Sequence, residues 1–160
     1  MAREAGRRGI EPSRLIFAPR LGYAEYLARY AAADMFLDTL PFNAGATASD
    51  ALWAGLPIVT CTGEAFASRM AGSLLTALGL PELVASSLEE YESLALKLAT
   101  EPGLLAGAKA RLAAGRGASA LFDTARFTRH IEAAYRAMWQ RQRQGLPPAP
   151  IDLSGPESRP

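Results

Sequence analysis

Short apolar runs alternate along this chain with longer stretches rich in Ala and Leu, and this alternation is the feature that most constrains the fold. The longer stretches repeat their apolar residues at helical spacing, whereas each run is only a few residues long and almost continuously apolar. Strands of that kind are typical of parallel sheets covered by helices on both faces. The sequence therefore predicts an α/β fold with a parallel sheet of about four strands and flanking helices.

The individual elements follow from these two patterns. Strands are predicted at Leu15–Ala18, Met35–Asp38, Pro57–Thr60 and Glu82–Val84. Helices are predicted at Ala24–Ala33, Thr47–Ala54 and Ala67–Leu78, followed by a helical C-terminal region at Leu88–Thr100, Leu104–Ala114 and Thr124–Arg143. Gly-Leu-Pro recurs at Gly55, Gly79 and Gly145, where a left-handed Gly followed by Pro is expected to end a helix.

The composition fits one globular domain. Of the 160 residues 49% are hydrophobic and 21% charged, which is enough apolar content to bury a core. The 17 Lys and Arg nearly balance the 16 Asp and Glu, so no strong field would recruit nucleic acid or an anionic membrane. One Cys and one His cannot build an internal disulfide or a His/Cys metal site. We expect a cytoplasmic protein with no metal, nucleic-acid or membrane partner, in which a domain over residues 1–145 precedes a Pro-rich flexible tail over residues 146–160.

The segment from Asp38 to Gly55 carries the clearest chemical signal. A strand ends at Asp38, a loop of small residues follows, and a helix begins near Ala46 and Thr47. Free N–H groups at a helix start bind anions, and ligands of parallel sheets bind at the carboxyl ends of the strands. This order of elements favours a phosphate site, but it also fits a structural role in which Asn43 or Thr47 only caps the helix.

A resemblance to a known family is carried by the run DTLPFNAGATASDALWAGLPIVTCTGEAFASRMAGSLLTALGLPELV, by RLIFAP before it and by LFDTARFTRHIEAAYRAMW after it. These segments resemble the C-terminal catalytic lobe of the O-GlcNAc transferase/SPINDLY family. The resemblance implies a GT-B architecture of two Rossmann-like lobes, in which the C-terminal lobe holds UDP-GlcNAc, without a metal, for transfer of the sugar to Ser or Thr of a protein. We expect this chain to be the distal part of that lobe, lacking the lobe's first strands.

The resemblance also assigns binding residues position by position. On the diphosphate and ribose side it implies Gly45, Ala46, Thr47 and Asp50, and on the uracil side it implies Leu21, Tyr23, Tyr26 and Arg29. Asp50 matches a carboxylate that accepts hydrogen bonds from the ribose hydroxyls, and Thr47 matches a Thr that contacts the diphosphate. No catalytic residue is assigned to this chain. Arg29 equally fits an ion pair with Glu25 at helical spacing.

Several of these positions depart from the family's pattern. The family's His-Thr-Thr reads Gly45-Ala46-Thr47 here, Tyr26 replaces a His, and Tyr23 replaces a Lys. Each lost polar contact is worth about 0.5–1.5 kcal/mol, so nucleotide binding is expected to be weak.

Two functions therefore stay open. The first is the UDP-GlcNAc-binding lobe of a glycosyltransferase, inactive without an N-terminal lobe. The second is a non-catalytic remnant or protein-interaction module that keeps the fold and has lost donor binding. In either case we expect the uncovered sheet edge and apolar helix faces of a partial lobe to favour a homodimer.

Overall fold

The computed structural model describes residues 1–153, which form a three-stranded parallel sheet surrounded by helices. The strands are β1 (Phe36–Leu37), β2 (Ile58–Cys61) and β3 (Val84–Ala85). The helices are α1 (Ala2–Arg7), α2 (Tyr23–Arg29), α3 (Ala46–Trp53), α4 (Met70–Ala77), α5 (Leu88–Thr100), α6 (Pro102–Arg116) and α7 (Thr124–Arg143). Short 3₁₀ turns lie at Pro12–Arg14, Tyr30–Ala32, Phe66–Ser68 and Pro81–Leu83. The predicted α/β class is confirmed.

The sheet order β1–β2–β3 places β2 in the centre. Phe36 lies opposite Ile58, and Thr60 lies opposite Val84. All four residues of β2 are buried, which explains why this strand reads as a continuous apolar run. Because β1 and β2 are parallel, the residue that follows β1, Asp38, lies at the same edge of the sheet as the end of β2.

The core lies around β2, against which α3, α4 and α5 pack. Its largest fully buried apolar side chains come from α3, β2, α4, α6 and the turn after α4: Leu52, Ile58, Val59, Leu75, Leu80, Leu83 and Leu112. The Ala and Leu periodicity of the helical stretches therefore corresponds to one continuous apolar cluster.

Helix ends follow local chemistry closely. Helices α5 and α7 have the predicted bounds, and each begins at a side-chain cap. Ser87 accepts a hydrogen bond from the Glu90 N–H at 3.1 Å, and Asp123 accepts one from the Arg126 N–H at 2.8 Å. Gly55, after α3, has a φ of +89°, as predicted for a helix-ending Gly.

The predicted strand at Leu15–Ala18 is wrong. This segment has no regular secondary structure, and the side chains of Ile16 and Phe17 are 88% and 69% exposed. A strand exists only where a neighbouring strand satisfies its backbone groups, and the sheet of residues 1–153 contains β1, β2 and β3 alone. The described sheet therefore has three strands where about four were predicted.

The chain after α7 turns back along the helix. Gly145 has a φ of +66°, and the Arg141 guanidinium donates to the Pro147 carbonyl at 2.8 Å. Residues 146–153 contain no helix or strand, although the Ile151 side chain is half-buried. The predicted flexible tail lies outside the described residues from position 154 onward, and its boundary with the domain stays a prediction.

Helix α7 differs from the other long helices because it contributes no buried residue. Its apolar side chains recur at helical spacing and remain mostly open to solvent, among them Phe127, Tyr135, Met138 and Trp139. We call this surface the α7 apolar face.

We expect the substitution Leu75→Ala to lower the free energy of unfolding by about 2–5 kcal/mol, because it opens a cavity beside the fully buried centre of the core. The matched control is Leu96→Ala, at a helical Leu that is 63% exposed, which should change stability by less than about 0.5 kcal/mol. Urea denaturation followed by circular dichroism measures both. Equal losses in the two variants would contradict the placement of the core.

Candidate functional site

A buried carboxylate holds the loop that connects β1 to α3. Oδ1 of Asp38 accepts hydrogen bonds from the N–H groups of Thr39 at 2.8 Å and Ala44 at 2.7 Å. Oδ2 accepts one from the Thr60 hydroxyl at 2.6 Å. Asp38 is only 6% exposed, so these bonds form away from water, where hydrogen bonds to a charged group are strongest. The loop of residues 39–45 is thereby fixed to the end of β2.

Asn43 is a second anchor of the same loop. Its side chain is fully buried, and its amide nitrogen donates to the carbonyl of Thr39 at 3.1 Å and to that of Cys61 at 3.5 Å. Its backbone N–H donates to the Ala67 carbonyl at 2.9 Å. The loops that follow β1 and β2 are therefore joined at this residue.

Helix α3 begins at this anchored loop without a side-chain cap. Gly45 is the N-cap residue, and no acidic residue occupies the first turn. Neither Asn43 nor Thr47 caps the helix, so the alternative in which one of them acts only as a helix cap is wrong. Ala46 and Thr47 are exposed, and the N–H groups of a first helical turn have no partner within the helix. This helix start therefore offers backbone donors and the Thr47 hydroxyl to an anion.

Two tyrosines of α2 and a third in the 3₁₀ turn that follows it, Tyr30, lie against this end of α3. The Tyr23 hydroxyl donates to Oδ1 of Asp50 at 3.1 Å. The hydroxyls of Tyr26 and Tyr30 share a hydrogen bond, and the Tyr30 hydroxyl also donates to the Thr47 carbonyl at 3.2 Å. The structure thus brings Tyr23 and Tyr26 together with Thr47 and Asp50, as a binding site made from both helices requires.

The ionisation of these tyrosines reflects their partners. The hydrogen bond from its hydroxyl to the Asp50 carboxylate, followed by the charge of that carboxylate, raises the pKa of Tyr23. Burial, followed by the hydrogen bond with Tyr26, raises the pKa of Tyr30. Both phenols therefore stay protonated near neutral pH and act as hydrogen-bond donors.

The other two residues predicted for the uracil side lie before and at the end of α2. Leu21 is 40% exposed in the segment that precedes the helix. The Arg29 guanidinium donates to the Pro19 carbonyl at 2.7 Å, so it holds that segment against α2. The carboxylate of Glu25, the alternative partner of Arg29, instead accepts from the Gly22 N–H at 3.3 Å. Arg29 thus contacts the predicted uracil side through the backbone of Pro19.

Sequence reasoning missed Tyr30 and the pairing of Asp38 with Thr60. Tyr30 follows Tyr26 by one helical turn, a spacing that places both side chains on one face. Asp38 and Thr60 each stand at the end of an apolar run, and polar residues at that position in neighbouring parallel strands share one edge of the sheet. These two signals could have found all three residues.

The described residues also show what they lack for two other kinds of site. Residues 1–153 contain no group of three or more His, Cys, Asp or Glu side chains placed to hold a metal ion. In the same part of the chain, no helix is long and apolar enough to cross a membrane. Cys61 is a free, buried thiol whose pKa is raised by burial, as expected for a packing residue and not for a nucleophile.

Comparison with known proteins decides the family. The model of glycosyl transferase family 41 matches residues 1–131. The chain belongs to this family. It is 41% identical over 140 residues to the UDP-N-acetylglucosamine–peptide N-acetylglucosaminyltransferase of Caenorhabditis elegans. The matched residues make up 88% of the chain and 12% of the worm protein. The resemblance to the O-GlcNAc transferase/SPINDLY family is confirmed.

Two further proteins are similar to this family 41 chain. A rice protein (Oryza sativa subsp. japonica) named "Probable UDP-N-acetylglucosamine–peptide N-acetylglucosaminyltransferase SPINDLY" is 38% identical over 142 residues, which make up 88% of the chain and 15% of that protein. The solved structure of an O-GlcNAc transferase mutant from Thermobaculum terrenum superposes with a TM-score of 0.81 and 37% identity. The superposition covers 90% of the chain and 28% of that structure, which confirms the predicted partial lobe of a GT-B enzyme.

We expect Asp38→Ala to cost about 2–4 kcal/mol of unfolding free energy, because it leaves the partly buried N–H of Ala44 and the buried Thr60 hydroxyl without their acceptor. It should also shift the amide NMR signals of residues 44–47, since the start of α3 loses its anchor. The control is Asp34→Ala, which removes an exposed carboxylate paired with Lys109 and should cost less than about 1 kcal/mol. Unchanged amide signals in Asp38→Ala would refute the anchoring role.

Proposed function

We propose that this family 41 chain provides the nucleotide-sugar site of an O-GlcNAc transferase, binding UDP-GlcNAc for transfer of the sugar to Ser or Thr of a protein. The observation that carries the proposal is the uncapped start of α3 with Asp50 beside it, facing the tyrosines of α2 at the carboxyl end of the sheet. The names of the relatives support the same donor and the same acceptor class. The chain spans only 12–15% of those relatives, so we propose that it is inactive alone.

Each proposed contact follows from the chemistry of the group. The N–H groups at Ala46 and Thr47 and the Thr47 hydroxyl would bind the diphosphate, since the helix start carries partial positive charge. The Asp50 carboxylate only accepts hydrogen bonds and therefore suits the two ribose hydroxyls. Tyr26 and the segment that Arg29 holds would face the uracil. Because backbone donors bind the diphosphate, we propose no metal cofactor for this site.

Binding of the donor is proposed to be weak. Gly45 has no side chain and Ala46 only a methyl group, so neither supplies the side-chain donors that the family's motif has at these positions. Space is not the reason, because a Cβ at Gly45 would meet the Met70 side chain at an ordinary 3.6 Å. This observation also favours the second candidate function, a non-catalytic interaction module that keeps the fold without donor binding.

Titration with UDP, followed by the amide NMR signals of the chain, separates the two candidates. We expect shifts confined to residues 20–29 and 45–50 and a dissociation constant below about 1 mM, as several hydrogen bonds to a diphosphate can supply. Asp50→Ala should weaken binding about tenfold or more, because hydrogen bonds to a charged group are worth about 1.5–3 kcal/mol. Asp34→Ala is the control and should leave the affinity unchanged. No shifts at several millimolar UDP would refute the donor site and leave the interaction module.

We propose that the rest of a longer protein, including an N-terminal catalytic lobe, covers two surfaces of this chain. One is the exposed apolar segment around Ile16 and Phe17, and the other is the α7 apolar face. Exposed apolar side chains grouped in this way invite association when nothing covers them. The proposed compartment is the cytoplasm, because the only Cys of the sequence is a free thiol.

The isolated chain is therefore expected to form a homodimer. Light scattering at high protein concentration should give about twice the mass of the chain, and the double substitution Phe17→Ser with Trp139→Ser should shift it towards the monomer. A monomer at every concentration would contradict this expectation without affecting the nucleotide site.

A further inference from the structure

Tyr23 holds the acceptor that the proposed ribose contact needs. Its hydroxyl lies 3.1 Å from Oδ1 of Asp50, and a phenol O–H is the same kind of donor as a ribose hydroxyl. Asp50 is half-buried, so only part of its carboxylate is open to a donor, and the Tyr23 hydroxyl occupies one of the open positions on Oδ1. We propose, as an inference that rests on the proposed function, that the Tyr23 hydroxyl occupies the ribose position on Asp50 in the free chain. It is displaced when a nucleotide with ribose hydroxyls binds.

The Tyr23 side chain is placed to move. It belongs to the first residue of α2, and 68% of its surface is exposed. Its ring stacks loosely on that of Tyr26, with 6.1 Å between the ring centres. An exposed side chain with two rotatable bonds changes rotamer within nanoseconds. Displacement therefore requires no rearrangement of either helix.

The neighbouring tyrosines are held more firmly. Tyr26 is half-buried between the rings of Tyr23 and Tyr30, and Tyr30 donates to the backbone of α3 at the Thr47 carbonyl. These two residues join α2 to α3 whether or not Tyr23 contacts Asp50. The Tyr23 hydroxyl can therefore act on nucleotide affinity through Asp50 alone.

Tyr23 weakens binding because a ribose hydroxyl gains a hydrogen bond to Asp50 only when the bond from Tyr23 to Asp50 is lost. Two adjacent ribose hydroxyls that bind both oxygens of Asp50 compete with the Tyr23 hydroxyl for Oδ1, and the net worth of one such bond corresponds to an affinity change of about two- to tenfold. Removal of the hydroxyl with retention of the ring isolates this effect, which makes Tyr23→Phe the natural variant. Tyr135→Phe, at an exposed tyrosine of α7, is the matched control.

The experiment compares the affinities of the wild-type chain, Tyr23→Phe and Tyr135→Phe for UDP and for dideoxyuridine diphosphate, which lacks both ribose hydroxyls. We expect Tyr23→Phe to bind UDP about two- to tenfold more tightly than the wild-type chain and to bind the dideoxy nucleotide equally well, because only ribose hydroxyls compete for Asp50. Tyr135→Phe should match the wild-type chain for both ligands.

The possible failures are distinguishable. If the wild-type chain binds UDP and Tyr23→Phe binds it equally or more weakly, the inference is overturned and the proposed function stands. A gain of the same size for the dideoxy nucleotide also overturns it, since the ring or the helix would then be the cause. If neither the wild-type chain nor the variant binds UDP, the proposed function fails and the inference falls with it.

A second measurement follows Tyr23 directly. The bond to Asp50 stabilises the protonated phenol and raises the pKa of Tyr23, so its release should bring that pKa back towards the ordinary value. Carbon NMR of labelled tyrosine rings over a pH series measures this, with the Tyr23 signal assigned by its loss in Tyr23→Phe. We expect the pKa to be lower with saturating UDP than with saturating dideoxyuridine diphosphate, which brings the same negative charge without ribose hydroxyls. Equal pKa values with the two nucleotides would overturn the inference.

Discussion

The site depends on one buried carboxylate. Asp38 stands between a strand of only two residues and a loop with no regular structure, and its oxygens bind that loop at Thr39 and Ala44 and the central strand at Thr60. A strand as short as β1 has too few ladder bonds to fix the direction of the chain beyond it. Asp38 supplies the missing constraint, because it accepts from the N–H of Ala44, the residue directly before the N-cap of α3. The helix start therefore keeps a fixed place at the edge of the sheet.

The proposed donor site is built on this constraint from groups that also bind one another. Tyr30 donates to the backbone of α3, while Tyr23 donates to Asp50 and so occupies the acceptor that a ribose would use. The same contacts that hold α2 beside α3 therefore set how strongly a nucleotide can compete. The weak binding that we propose for this chain would have two physical causes, the absence of side-chain donors at Gly45 and Ala46 and the internal partner of Asp50.

Local signals explain which parts of the fold could be predicted. The bounds of α5 and α7 follow from helical periodicity and from the caps Ser87 and Asp123. Each of these signals is local, because it lies in the helix itself or in the residue directly before it. The strand expected at Leu15–Ala18 has strand-like composition, but strand formation depends on a partner that a local pattern cannot supply. The contacts of the site are equally non-local, since Tyr23 and Asp50 lie 27 positions apart and Asp38 and Thr60 lie 22 apart. The resemblance brought Asp50 and Tyr23 into one predicted site, whereas their hydrogen bond could be found only in three dimensions.

A crystal structure of the chain with UDP would show the proposed donor site itself. We expect diphosphate oxygens within hydrogen-bond distance of the N–H groups at Ala46 and Thr47, ribose hydroxyls on the Asp50 carboxylate, and the Tyr23 hydroxyl turned away from it. We also expect the Asp38 hydrogen bonds to stay as they are in the free chain. UDP bound elsewhere, or bound at α3 with Asp50 still paired to Tyr23 and without contact to the ribose, would contradict the proposed site.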